Sequence, residues 1–157
     1  MRPLQLVYPA GWRLEREEGR TEPYQQIRLV GARNAEETYT AFIAIRVRPL
    51  RTANGFYSRV EDLVRHYTDR LLERARVEGP RAIRVAGVPA EEFIVSYTIP
   101  PGYHAAGWHL ADIPVTMRTI FFEHGPRCYE LVYSADTREY ARHEAAFTEL
   151  LNSLQIR

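Results

Sequence analysis

The chain contains no lysine, a single cysteine (Cys128), no block of like charge, no low-complexity stretch and no long apolar run. One cysteine excludes an internal disulfide and any cysteine-based metal cluster within one chain, so the fold must hold without covalent staples. No segment approaches the roughly 18 consecutive apolar residues of a membrane-spanning helix. The start, from Met1 to Pro9, has neither an apolar core nor a small-residue cleavage site. As the sequence stands a cytoplasmic protein is expected, and an exported one if a leader has been trimmed. All 21 basic residues are arginine, a uniform bias that we read as codon composition of the source genome and not as chemistry. They are balanced by 20 acidic residues, for a formal charge of +1. A dedicated nucleic-acid binder concentrates positive charge, so nucleic acid is not an expected partner.

The signatures of catalysis are missing too. There is no Gly-x-Ser-x-Gly elbow and no glycine-rich phosphate loop. Cys128 falls inside a strand pattern, where it should behave as a small apolar residue of normal reactivity. The acidic pairs Glu17-Glu18, Glu36-Glu37 and Glu91-Glu92 are adjacent, so in extended chain their side chains diverge instead of converging on one substrate atom. All three are read as solvated charge. No catalytic residue and no cofactor is expected, and the chain does not read as an enzyme.

What is present is ordinary globular material. At 157 residues, 45% apolar and 26% charged, the chain can bury one substantial core, and a single domain over 1–157 is expected. Two segments have helical period. Ser58-Arg59-Val60-Glu61 has the form of a capping box, and Val60, Leu63, Val64, Tyr67 and Leu71 form one apolar stripe, with Gly79-Pro80 as the stop. This predicts a helix over about 58–77. A second helix is expected from Asp136, with Glu139 three residues on and Tyr140, Ala146, Phe147, Leu150, Leu151 and Leu154 on one face, to about residue 152.

Elsewhere the period is two. Ile43, Ile45 and Val47 alternate with Ala44, Arg46 and Arg48, Phe93 to Ile99 alternates likewise, and so does Tyr129 to Ser134. Further strands are expected at 4–8, 12–16, 24–30, 81–85 and 115–123. Many strands with only two helices cannot alternate as a parallel βαβ sheet, so the class is α+β: a central, mostly antiparallel sheet flanked by two main helices. The expected core includes Trp12, Ile43, Ile45, Leu63, Tyr67, Val95, Leu131, Phe147 and Leu151.

Four junctions, taken in order, span almost the whole chain: Tyr8-Pro9-Ala10-Gly11-Trp12, Val60-Glu61-Asp62-Leu63, Val85-Ala86-Gly87-Val88-Pro89-Ala90 and Tyr129-Glu130-Leu131-Val132-Tyr133-Ser134-Ala135. In that succession the chain resembles the PsbP-like family, the fold of PsbP, LpqN and DcrB-like proteins. The resemblance implies an α/β/α sandwich and a binding or assembly role, because members are mostly non-enzymatic and differ in their partners. An unidentified protein partner is therefore expected, and a homodimer is compatible with the sequence.

Two groups of residues are candidates for recognition. The stretch from Pro100 to Asp112 reads as an irregular loop that gathers Tyr103, His104, Trp108 and His109, and ligand contacts concentrate in loops. Trp108 is either an anchor for a partner or a cap on the core edge. His104, His109 and Asp112 are metal-ligand types, but their spacing matches no helix-borne metal motif. The second group is Arg46, Arg48 and Arg118, which with Arg28 could line an exposed part of the sheet that recognises an acidic surface, or could pair with the abundant glutamates. The alternative function is a small ligand-binding protein or enzyme with a pocket beside residues 100–112. His143 reads as a rim histidine of the last helix, His66 as solvated and His124 as part of a turn.

Overall fold

Period-two alternation becomes a seven-stranded, wholly antiparallel sheet in the order β2-β3-β4-β10-β9-β6-β5. The strands are β1 (Leu4–Gln5), β2 (Arg13–Glu18), β3 (Gln25–Arg33), β4 (Thr40–Pro49), β5 (Arg76–Val85), β6 (Val88–Ile99), β7 (Gly102–His104), β8 (Gly107–His109), β9 (Ile113–His124), β10 (Arg127–Asp136) and β11 (Gln155–Ile156). Two helices, α1 (Val60–Asp69) and α2 (Tyr140–Ser153), complete the fold. The computed structural model describes residues 4–18, 25–50, 59–69, 75–104, 107–109 and 111–157, without the side chains of 16–18, 25, 63, 66–69, 103, 104 and 107–109.

Register decides which residues share a face. Leu131 of β10 lies opposite Ile45 of β4 and Ile120 of β9. Tyr129, one step along the same face, lies opposite Phe122, and the two rings stack with centroids 4.8 Å apart. This face carries the larger core, into which α2 presses Phe147 and Leu150. The other face buries Phe93, Val95, Phe121 and Cys128, with Val60 and Val64 of α1 packed on them. The helices thus lie on opposite faces, and the central strand β10 is buried from Cys128 to Asp136. Strands β1 and β11 pair the two ends of the chain, and Leu4, Leu6 and Ile156 pack on the larger core.

Of the expected core, Ile43, Ile45, Val95, Leu131 and Phe147 are buried, and Trp12 and Leu151 are half-buried against the larger cluster. The side chains of Leu63, Tyr67 and His66 lie outside the described residues. Among the described residues, no helix is long and apolar enough to cross a membrane.

The helix boundaries differ from the sequence expectation for physical reasons. Only α2 is long; α1 spans ten residues. Residues 76 and 77, expected at the end of the first helix, instead pair with Ser96 and Val95. Gly79-Pro80, expected to stop that helix, sits within β5 at a shift of register. Gly79 has φ +120°, and a Cβ there would meet the Glu92 carbonyl oxygen at 2.6 Å, so only glycine fits. Ser58, the expected cap, lies outside the described residues. The Val60 N–H donates to Glu123 Oε1 of β9 at 2.9 Å, so a carboxylate from the sheet satisfies the start of α1.

Asp136 is not the cap of α2 either. It ends β10, and its carboxylate accepts from the Arg138 backbone N–H (2.9 Å), Arg138 Nε (2.9 Å), Arg138 Nη2 (2.6 Å) and Asn34 Nδ2 (2.8 Å). Arg138 also forks onto both oxygens of Glu36. The β3–β4 loop is thereby latched to the connection that leads into α2.

Candidate functional site

The arginines expected to line one surface are divided between the two faces. Arg118 of β9 lies opposite Tyr133, in the row of Ile43, on the α2 side. Arg46 lies opposite Glu130 and Gln26, on the other side of the sheet. A single recognition surface made of Arg46, Arg48 and Arg118 is therefore excluded: in an antiparallel sheet the pairing register, and not the spacing along one strand, sets the face.

On the α2 side, Arg118 Nε donates to Glu92 Oε2 at 2.7 Å, and Arg81 donates to Glu92 Oε1. Glu92 is 3% exposed, which corrects the reading of Glu91-Glu92 as solvated charge. The Arg118 guanidinium carbon sits 5.5 Å from the centre of the Phe147 ring. The buried Tyr140 hydroxyl makes no hydrogen bond, and burial holds the Tyr133 and Tyr140 phenols well above the usual tyrosine range. These groups cement α2 to the sheet.

On the opposite face, Arg46 donates to Gln26 Oε1 (2.9 Å) and Glu130 Oε1 (3.0 Å), and Arg48 donates to Glu130 Oε2 (3.2 Å). Glu130 is 6% exposed, and each of its oxygens is engaged by one arginine. Pairing with glutamate, one of the two roles expected for these arginines, therefore accounts for Arg46 and Arg48 in part. Arg28 differs. Its guanidinium carbon lies 4.4 Å from the centre of the Phe42 ring, and its buried Nε has no hydrogen-bond partner.

The described part of the 100–112 stretch is not an irregular loop. Gly102–His104 and Gly107–His109 form a two-stranded antiparallel hairpin with Tyr103 in register with Trp108. Among the described residues, neither strand joins another sheet. The side chains of Tyr103, His104, Trp108 and His109 lie outside the described residues, and Asp112 is exposed.

Cys128 is buried, and burial, reinforced by Glu123, pushes its thiol up to about 12. A thiol in that range carries almost no thiolate at neutral pH and is a poor nucleophile. A cavity of about 370 Å³ opens between the β5–β6 turn and the end of α2, with Ile83, Val85, Leu151 and Leu154 as apolar walls and Arg118 among its lining. None of its lining residues comes from 100–112, so this cavity is not the pocket of the alternative reading.

No protein-family model and no curated protein sequence matches the chain. Solved structures do. LpqN of Mycobacterium tuberculosis, described as involved in cell envelope biogenesis, superposes with a TM-score of 0.61 at 15% identity over 98% of this chain and 82% of its own. Cyanobacterial PsbP from Synechocystis sp. PCC 6803 superposes with a TM-score of 0.53 at 9% identity over 99% and 87%. The Ran-binding protein Mog1p of Saccharomyces cerevisiae gives 0.54 at 15% identity over 98% and 90%.

The fold is PsbP-like. Within this PsbP-like fold the motif Tyr8-Pro9-Ala10-Gly11-Trp12 leads into edge strand β2, with Gly11 at φ +82°. A Cβ on Gly31 would stand 2.8 Å from the Trp12 ring, so the indole packs on bare backbone of β3. His143 completes the contact edge-on, with ring centroids 6.3 Å apart, as a rim histidine should. The Val85 to Ala90 motif is the β5–β6 hairpin, where Ala86 and Gly87 both have positive φ (49° and 79°), as a two-residue type I′ turn requires. His124 is exposed at the β9–β10 turn. The PsbP-like sheet also brings Gln26, Phe42 and Glu130 to the arginine cluster. No local motif marks them, because they come from three strands and meet only through register.

Proposed function

We propose that this chain is a non-catalytic protein-binding or assembly module whose recognition element is the β7–β8 hairpin. The observation that carries this reading is that, among the described residues, Gly102–His104 pairs with Gly107–His109 and with no strand of the seven-stranded sheet. A two-stranded ribbon gains little stability on its own, so one that carries Tyr103 and Trp108 at opposed positions gains most from a partner surface. Tyrosine and tryptophan are the residue types that dominate interface energetics. Two proteins of similar fold support the class, since Mog1p is Ran-binding and LpqN is involved in cell envelope biogenesis.

The test is a photoactivatable cross-linker placed next to the hairpin in the native host, followed by affinity measurement with the captured protein. Trp108→Ala should weaken that affinity by at least about 1 kcal/mol while leaving the urea midpoint nearly unchanged. A large loss of stability with unaltered affinity would instead make Trp108 a core residue. Stoichiometric zinc binding lost in both His104→Ala and His109→Ala would overturn the reading in favour of a metal site.

A further inference from the structure

We infer that the cavity between the β5–β6 turn and the end of α2 binds a small, uncharged, largely apolar molecule through one carbonyl oxygen, with Arg118 as the donor to that oxygen. The inference uses none of the hairpin's residues.

Register shows which part of Arg118 reaches this cavity. Ile83 lies level with Ala90 of β6, and Ala90 with Phe122 of β9. Arg118 stands four residues back along β9, about 13 Å away at the rise of a strand, so it is the far end of its side chain that arrives among the lining residues. At that end Nε donates to Glu92 Oε2 at 2.7 Å. The two Nη nitrogens have no hydrogen-bond acceptor among the described residues: Glu144 Oε1 stands 3.9 Å from Nη1, beyond reach. They are not sealed either. The buried, unpaired side-chain atoms of the described residues are Arg28 Nε, Thr119 Oγ1 and Tyr140 Oη, so the unpaired Arg118 nitrogens are open to solvent, in a side chain that is 16% exposed.

The charges around those donors select the ligand. Glu92 is shared by Arg118 and Arg81, and Glu144 stands beside Arg118, so two cations meet two carboxylates and the cluster is neutral. Arg84 also borders the cavity, but its row in β5 belongs to the other face and its guanidinium donates to the Gly87 carbonyl. An entering anion would meet Glu144 and find no net positive charge to offset its lost hydration. A cation would meet the guanidinium. A carbonyl oxygen needs only donors, and the two Nη groups supply them. Ile83, Val85, Leu151 and Leu154 give the rest of such a molecule an apolar wall. At roughly 30 Å³ per water, the 370 Å³ holds about a dozen waters, which limits the ligand to about as many heavy atoms and leaves out a whole lipid.

The experiment titrates the isotope-labelled protein with 2-heptanone, and with hexanoate as the charged comparison, following backbone amide resonances. The ketone should move the amides of residues 83–86 and 148–154 with a Kd of about 1 mM, the range for so small a molecule, and should bind at least about tenfold tighter than hexanoate. Thr148→Trp, at an exposed position of the cavity wall, should abolish binding, whereas Glu149→Trp, exposed next to it but outside the lining, should leave it intact. Glu144→Gln should strengthen hexanoate binding and leave the ketone unchanged. Arg118→Met should weaken the ketone about tenfold. Because that variant strands Glu92 and can fail to fold, the carbonyl carbon resonance of labelled ketone supplies a second readout with the parent protein: it should move downfield on binding. An unmoved carbonyl resonance in the bound ketone would refute Arg118 as donor. Hexanoate binding as tightly as the ketone, or no better in Glu144→Gln, would overturn the uncharged ligand. Undiminished binding in Thr148→Trp, or no response of these amides with water saturated in ketone, would overturn the site. Every variant leaves residues 102–109 untouched, so failure of this site and failure of the hairpin reading are separable.

Discussion

Replacing Asp136 by asparagine keeps the shape of the latch and removes its charge. The carboxylate is 2% exposed and accepts four hydrogen bonds, three from Arg138 and one from Asn34. The hydrogen bonds from Arg138, followed by the one from Asn34, outweigh burial and bring its pKa from 3.8 down to about 2. That difference corresponds to about 2 kcal/mol of folding stability. Because the folded value lies below the unfolded one, the contribution is complete at neutral pH. About half of it is gone at pH 3, and the rest disappears as the pH falls through the folded value. Urea unfolding of the parent and Asp136→Asn should therefore show a gap of about 2 kcal/mol at neutral pH that shrinks to about 1 kcal/mol near pH 3. The comparison isolates one group, since every other carboxylate titrates alike in both proteins. A gap that is the same at both pH values, or no gap at all, would refute the assignment of the stabilisation to the ionised carboxylate.

Two further outcomes check the core. Leu131→Ala should cost about 2 to 5 kcal/mol, read as a lower urea midpoint, because Leu131 is fully buried between Ile45 and Ile120; an unchanged midpoint would mean the facing of β10 is wrong. Cys128 should resist a disulfide reagent at mildly alkaline pH in the folded protein and react completely in urea, given a thiol pushed to about 12 by burial; rapid reaction in the folded state would contradict that burial.

Much of the sheet was legible because alternation is a local property. Ile43 and Ile45, or Leu131 and Tyr133, share a face wherever their strand is placed, so period two identified both the strands and their buried sides. The boundaries failed where long-range pairing competed with local pattern. Arg76 and Val77 fall at the end of the expected helix, yet pairing with β6 claims them for β5. Asp136 has the spacing of a helix cap, yet Asn34 and Arg138 take its carboxylate. The candidate site was legible only in kind. Arginines alternating with apolar residues are visible in the text of β4 and β9, but whether Arg118 joins Arg46 depends on register across β10.

The amino-acid sequence by itself determined the class of this protein: a mostly antiparallel sheet, a helix at each of two amphipathic segments, and a resemblance that the fold bears out. Those properties follow from periodicity and composition, which act over a few residues. Only the tertiary structure decided that Arg118 and Arg46 lie on opposite faces, that Glu92 is buried, and that Gly102–His104 pairs with Gly107–His109. Each of these depends on which strands become neighbours and in what register. A slip of a single residue would exchange the two faces and every charge they carry.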